Sequence, residues 1–335
     1  MSLLTLYCRP GREAASLLTL YDFALANKLF CHNFVSLASP EKDQAPPFSC
    51  FLSFTSYLYQ HAYRNVRASL YAYLTLLILI ILVEDPTLAK LLTDTIAPVR
   101  LCRQKSPQLP LPKGDRSYTA AIMDITVDGI NHNLRKRLDT NFYRQSIAVM
   151  SRVLSYLAKS RTKLDYHWSE LWRSLLSFVR FLTTYADDLK VLSGTQELIT
   201  SLVDALTIAL SSGEAFLPNA AAYDDLFYKL VESGEALVKL RDVYALSKSD
   251  ANTPINTLIG VSKHYQELIE TQKSKSTHLT PREVSKIIKQ GYDTLSIETK
   301  EGLDHVEQYR EADHKVELKK ITRVAVNDAA SLVAS

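Results

Sequence analysis

Apolar residues recur at every third or fourth position along almost the whole chain. In DYHWSELWRSLLSFVRFLTTYADDL, which begins at Asp165, the residues Trp168, Leu171, Trp172, Leu175, Phe178, Val179 and Leu182 fall on one stripe. Glu170, Arg173, Ser177 and Arg180 turn away from it. That is the period of an amphipathic helix, not the alternation of a half-buried strand. The same reading predicts further helices near 16–38, 49–83, 87–103, 118–137, 141–160, 195–212, 221–247 and 255–272.

Local stop and start signals agree. Asp85-Pro86 reads as an N-cap followed by proline at the first helical position, where the missing N–H costs nothing. Thr280-Pro281-Arg282-Glu283 has the spacing of a capping box, and Gly291 would close the short helix it opens. A last helix, from about Ser296, carries paired charges and few apolar residues, so it is expected to face solvent on most sides. The stretches from Ser39 and from Arg103 together hold six of the 12 prolines and are the natural loops. Helix after helix without strands leaves a bundle or an irregular α-solenoid.

One segment stands apart. From Ala68 to Val83 the chain carries 16 uncharged residues, about 24 Å of helix at about 1.5 Å per residue. A bilayer core of about 30 Å takes about 20 residues. Arg64 and Arg67 precede the run and Glu84 and Asp85 follow it. Length therefore favours a buried helix, with Leu74, Leu77, Ile78 and Ile81 facing the helix that starts at Asp85-Pro86. A single membrane span, arginine side in the cytosol, is the alternative.

Composition narrows the class. Only 9 glycines and 47% hydrophobic residues argue against a turn-rich sandwich or barrel and against disorder. The net charge of +3 hides an asymmetry: between Arg100 and Lys163, thirteen Lys and Arg stand against four Asp, so the remainder is net acidic. The four cysteines are scattered without metal spacing, as expected of a reducing compartment. The apolar run at the N-terminus is too short, and its arginines too late, for a persuasive signal peptide.

No phosphate loop, dinucleotide fingerprint, nucleophile elbow or zinc-protease motif is present. His305 and His314, nine residues apart, lie on opposite sides of a helix and are expected to be surface residues. Asp187-Asp188 and Asp224-Asp225 diverge as neighbours on a helix and read as solvated helix ends. The expectation is therefore no enzyme: no catalytic, cofactor-binding or metal-ligating residue, and no cofactor. The candidate site is the basic group Arg135, Lys136, Arg137, Arg144, Lys159, Arg161 and Lys163. At helix ends these cations complement the helix dipole, or they form a contact for an anionic membrane surface or an acidic partner. Nucleic acid is not expected, since no aromatic-interleaved platform accompanies them.

The runs RASLYAYLTLLILIILVEDPTLAKLL, APVRLCRQKSPQLPLPKGDRSYTAAIMDITVDGINHNLRKRLD and LDYHWSELWRSLLSFVRFLTTYADDL resemble a fungal domain that forms the C-terminal part of the armadillo-like helical domain-containing protein family. The resemblance is strong from Arg64 to Leu246 and weaker to the C-terminus, and WSELWRSLLSFVRFL is its most specific block. It implies an all-α fold, an irregular armadillo-like helical solenoid or bundle of antiparallel helix pairs. Three regions follow: a poorly matching helical region at 1–60, an armadillo-like core at 61–250 and partly exposed C-terminal helices at 251–335. On that comparison the long N-terminal repeats of a full-length member are missing. The resemblance also implies a non-enzymatic scaffold, peripheral at the cytosolic face of the Golgi, that supports Golgi maintenance and secretion. Its implied partners are a phosphatidylinositol 4-kinase and an Arf exchange factor.

Overall fold

Two breaks in the expected helices come at asparagines whose side chains satisfy the first turn of the helix that follows. The computed structural model describes residues 10–39, 44–102, 109–110, 114–133, 138–246, 253–273 and 306–334. The run at 16–38 divides into α1 (Ser16–Ala26) and α2 (Lys28–Ser36) at Asn27, whose side chain accepts from the Phe30 amide at 3.0 Å. The run at 49–83 divides into α3 (Pro47–His61) and α4 (Val66–Glu84). A 3-10 turn at Ala62–Arg64 lies between them, and Asn65 caps α4 through the Ala68 amide at 2.7 Å.

α5 (Pro86–Asp94) begins as predicted, with the Asp85 carboxylate accepting from the amides of Thr87 and Leu88. It ends well before residue 103. Pro98 disfavours helix at the residue before it, and Ile96–Ala97 (β1) instead pairs antiparallel with Arg116–Ser117 (β2), Ile96 opposite Ser117. Among the described residues this is the only strand pair, two residues on each side, and the fold is all-α as expected.

The chain continues through α6 (Tyr118–Asn133), α7 (Thr140–Ser160), α8 (Trp168–Thr184), the short α9 (Ala186–Leu189) and α10 (Thr195–Phe216). The run at 221–247 divides at Ser233 into α11 (Ala220–Glu232) and α12 (Gly234–Val243). Gly234 allows a close approach there, because a Cβ would sit 2.4 Å from Ser262 Oγ. Ser262 lies on α13 (Pro254–Lys273), and α14 (Lys315–Val333) follows a 3-10 turn at Glu311–His314. The capping box at Thr280, the stop at Gly291 and the helix start at Ser296 lie outside the described residues.

The helices form two compact units, Met1–Val153 with Glu307–Ser335, and Leu154–Val306. In the first unit α4 is the hub: α1, α3, α5 and α14 all pack on it. Every residue from Tyr71 to Ile80 is buried. Of the expected face, Leu74, Leu77 and Ile78 are fully buried and Ile81 is half-buried. Each such aliphatic side chain gains about 1.5–3 kcal/mol on leaving water, so this helix is the main stabilising element of its unit.

In the second unit the predicted α8 stripe is the core. Trp168, Leu171, Trp172, Leu175, Phe178, Val179 and Leu182 are all 2% exposed or less, while Arg173, Ser177 and Arg180 are exposed. α8 packs on α11 and α12, and α13 packs on α10, α11 and α12. The indoles of Trp168 and Trp172 stack at 5.6 Å, and Trp168 meets the Phe216 ring at 5.1 Å. Of the aspartate pairs, Asp187 and Asp188 are exposed as expected, but Asp224 is buried at 4% and Asp225 pairs with Lys229 at 2.6 Å. Packing of α11 overrode the reading of that pair as solvated.

Candidate functional site

The expected basic residues begin with Arg135, Lys136 and Arg137, which lie outside the described residues. Arg144 is half-buried on α7, in the first unit. Lys159, Arg161 and Lys163 belong to the second unit and are exposed together where α7 ends. The helix closes there with the Thr162 amide donating to Leu157 O at 3.1 Å and the Arg161 amide to Ala158 O at 3.3 Å. Arg161 therefore takes the left-handed conformation, φ 51°, that helix ends usually give to glycine. A side chain with a Cβ costs about 1–2 kcal/mol in that conformation.

The sequence did not announce a second polar constellation, which fastens the C-terminal segment to α4. Arg67 Nε and the Tyr71 hydroxyl both donate to Asp328 Oδ2, at 2.8 and 2.6 Å. The Tyr73 hydroxyl and His314 Nδ1 share a hydrogen bond of 2.8 Å. The Tyr309 ring stacks on the His314 ring at 5.1 Å, and its hydroxyl bonds that of Tyr21 at 2.6 Å. The Tyr309 amide donates to both oxygens of Glu84, and Arg152 bridges Glu84 and the Glu307 carbonyl. The tyrosines of the greasy helix thus find polar partners within their own unit. His314, expected at the surface, is buried at 7%. Tertiary packing with Tyr73, 241 residues away, decided its burial.

Burial lowers the His314 pKa first, and the nearby Arg144 adds to it; Asp313 and Glu317 pull weakly the other way. Burial pushes the Tyr21 hydroxyl up to about 12 and those of Tyr71 and Tyr73 higher still. The depressed histidine has a stability consequence. Unfolded His314 takes up a proton near its ordinary value of about 6.5, while the folded residue resists it. Its contribution is fully present above about pH 6.5 and is lost as pH falls through the lower folded value. His61, also depressed by burial, acts in the same direction. Urea denaturation at pH 7.5 and 5.5 is expected to show lower stability at 5.5, with a smaller difference in His314→Gln. Equal differences in both proteins would show that the buried histidine is not the source.

Among the described residues no group of three or more His, Cys, Asp or Glu is placed to hold a metal ion. The described cysteines, Cys31, Cys50 and Cys102, are free thiols. α4 and α10 are each long and apolar enough to cross a membrane, and 72% and 61% of their most apolar stretches are buried.

Comparison with known proteins gives these features a family setting. A Schizosaccharomyces pombe protein, named as a UPF0588 membrane protein, is 27% identical over 319 residues, covering 94% of this chain and 51% of its own length. The human armadillo-like helical domain-containing protein 3 is 27% identical over 225 residues, 64% of this chain and 32% of that protein. The Danio rerio protein of the same name is 24% identical over 279 residues, 78% of this chain and 40% of that one. The chain therefore spans about half, or less, of the length of these relatives. No solved structure matches it. The family model described as "Armadillo-like helical domain-containing protein 3, C-terminal" matches residues 116–331, which take in the α8 stripe, the Arg161 turn, Tyr309, His314 and Asp328. The chain belongs to the armadillo-like helical domain-containing protein 3 family, through that C-terminal domain.

Proposed function

We propose that this chain is a non-enzymatic helical scaffold that works at the cytosolic face of the Golgi. The observation that carries the reading is the exposed group of cations Lys159, Arg161 and Lys163 where α7 ends. Lys159 and Lys163 place three cations within five residues, each worth about 1 kcal/mol beside anionic headgroups. Arg135, Lys136, Arg137 and Arg144 extend the same proposal along the chain. Family resemblance supplies the finer expectations: recruitment of a phosphatidylinositol 4-kinase and an Arf exchange factor, in support of Golgi maintenance and secretion.

Arg161→Gly separates the helix-end role from the contact role. It is expected to stabilise the fold by about 1 kcal/mol, because glycine relieves the left-handed strain. Cosedimentation with vesicles containing phosphatidylserine is expected to fall several-fold in the variant, and in the wild type as salt rises. Vesicle binding indifferent to both changes would reduce the cluster to a helix cap. Co-purification of the kinase and the exchange factor with the tagged chain, and their loss with Lys136→Glu and Arg137→Glu combined, tests the partner expectation.

A second reading, a single-pass membrane protein with residues 68–83 spanning the bilayer, draws on the strongly apolar character of α4 and on the name of the Schizosaccharomyces pombe relative. Carbonate extraction of membranes discriminates. A peripheral scaffold is released, and a spanning protein stays in the pellet.

A further inference from the structure

α14 carries four cations, Lys315, Lys319, Lys320 and Arg323, and two acids, Glu317 and Asp328. Successive side chains turn by about 100° along a helix, and here that turn separates the two signs. Both acids point toward the body of the first unit. Asp328 accepts from Arg67 and Tyr71, and Glu317 Oε1 accepts from Asn141 Nδ2 at 3.4 Å. Leu318, Ile321 and Ala325 are buried on the same side, where the helix packs on α4, α1 and a 3-10 turn at Arg12–Ala15. The four cations are exposed on the remaining surface. Among the described residues none of them has an ion pair. Val316 and Val326 share that surface and are 62% and 57% exposed.

A purely structural role does not account for this arrangement. Cations that complement the helix dipole belong in the last turn, which has none. All four lie in the first half of the helix, where the dipole opposes them. A face that serves solubility alone mixes both signs and has no use for valine, a weak helix former that gains nothing from water. Cations of one sign with apolar side chains among them are the pattern of a helix that lies on an anionic bilayer. Glu311 and Asp313, exposed on the turn before the helix, mark where this surface ends.

We propose that the outer face of α14 docks on an anionic membrane surface, with Lys315, Lys319, Lys320 and Arg323 on the headgroups and Val316 and Val326 at the acyl boundary. The proposal stands on α14 alone. It does not rest on the scaffold reading, which was argued from the cations at the end of α7.

Cosedimentation of the full chain with phosphatidylcholine vesicles, with and without phosphatidylserine, tests it. Preference for the anionic vesicles is expected. Lys319→Glu combined with Arg323→Glu is expected to weaken binding about tenfold or more, since each cation near the headgroups is worth about fivefold. Val326→Ser is expected to weaken it about threefold through lost apolar contact. These positions are exposed, so the variants are expected to melt like the wild type. The double reversal is made in the Arg161→Gly chain as well, where the same further loss is expected; this separates the α14 surface from the α7 cations. Val326→Trp reads the contact directly, because brominated phosphatidylcholine in the anionic vesicles is expected to quench its fluorescence. Trp168 and Trp172 are buried and stay unquenched. Equal binding to both kinds of vesicle, binding unchanged by the double reversal, or binding without quenching would overturn the proposal. Soluble polyglutamate bound as tightly as the anionic vesicles would assign the face to an acidic protein, and would overturn it too.

Discussion

Leu77→Lys is expected to unfold the first unit. Leu77 is fully buried near the middle of α4, among neighbours that are themselves fully buried. An ammonium placed there among buried apolar side chains stays charged at a large desolvation penalty or gives up its proton at the cost of a strongly lowered pKa. Loss of the leucine contacts adds about 2–5 kcal/mol, as for other large aliphatic truncations in cores. The total reaches or exceeds about 5 kcal/mol, comparable with the whole stability of a typical domain. Val66→Lys provides the control on the same helix: Val66 is 71% exposed, and the change is expected to stay within about 0.5 kcal/mol. Thermal denaturation followed by circular dichroism reads both. A Leu77→Lys chain that melts with the wild type would mean that α4 is not held among the helices around it, and the spanning reading would gain.

The two variants also show which parts of the fold were legible. Period and composition placed α4, α5, α7, α8, α10 and α13, because a helix that must bury one face repeats its apolar residues every turn. Boundaries were lost where that stripe runs on through a cap. Asn27 and Asn65 stop one helix and start the next with a single side-chain hydrogen bond, and neither disturbs the apolar period on either side. Asp85 was legible because proline follows it and fixes the first helical turn. The residues between 87 and 103 read as helix because Ile96 continues the stripe; its pairing with Ser117 is a long-range decision that no local pattern records.

The candidate site divides in the same way. A basic surplus between Arg100 and Lys163 is visible in composition, but the left-handed backbone at Arg161 is not, since arginine gives no turn signal of its own. The contacts of Tyr71, Tyr73 and Glu84 with the C-terminal segment span 225 to 257 residues of sequence. The one available hint was the spacing of Leu318, Ile321 and Ala325, a short buried stripe on an otherwise charged helix.

Trp172→Ala is expected to cost the second unit about 3–5 kcal/mol, as large aromatic truncations do in close-packed cores. Trp172 is fully buried on α8 and stacks on Trp168, so the deletion leaves a void beside an indole and strips that ring of one face of contact. The two tryptophans differ in one respect that sharpens the test. Trp168 Nε1 donates to Leu164 O at 3.0 Å, whereas Trp172 Nε1 is buried with no partner among the described residues. Replacement by phenylalanine keeps most of the apolar volume and removes the indole N–H. At Trp172 that deletes an unsatisfied donor, whose burial costs about 1–3 kcal/mol, and this offsets part of the lost packing. At Trp168 it orphans a carbonyl instead. Trp172→Phe is therefore expected to be milder than Trp168→Phe by about 1–3 kcal/mol in urea denaturation. Equal losses at the two positions, or a Trp172→Ala chain with an unchanged denaturation midpoint, would show that the stacked pair does not organise the core of α8, α11 and α12.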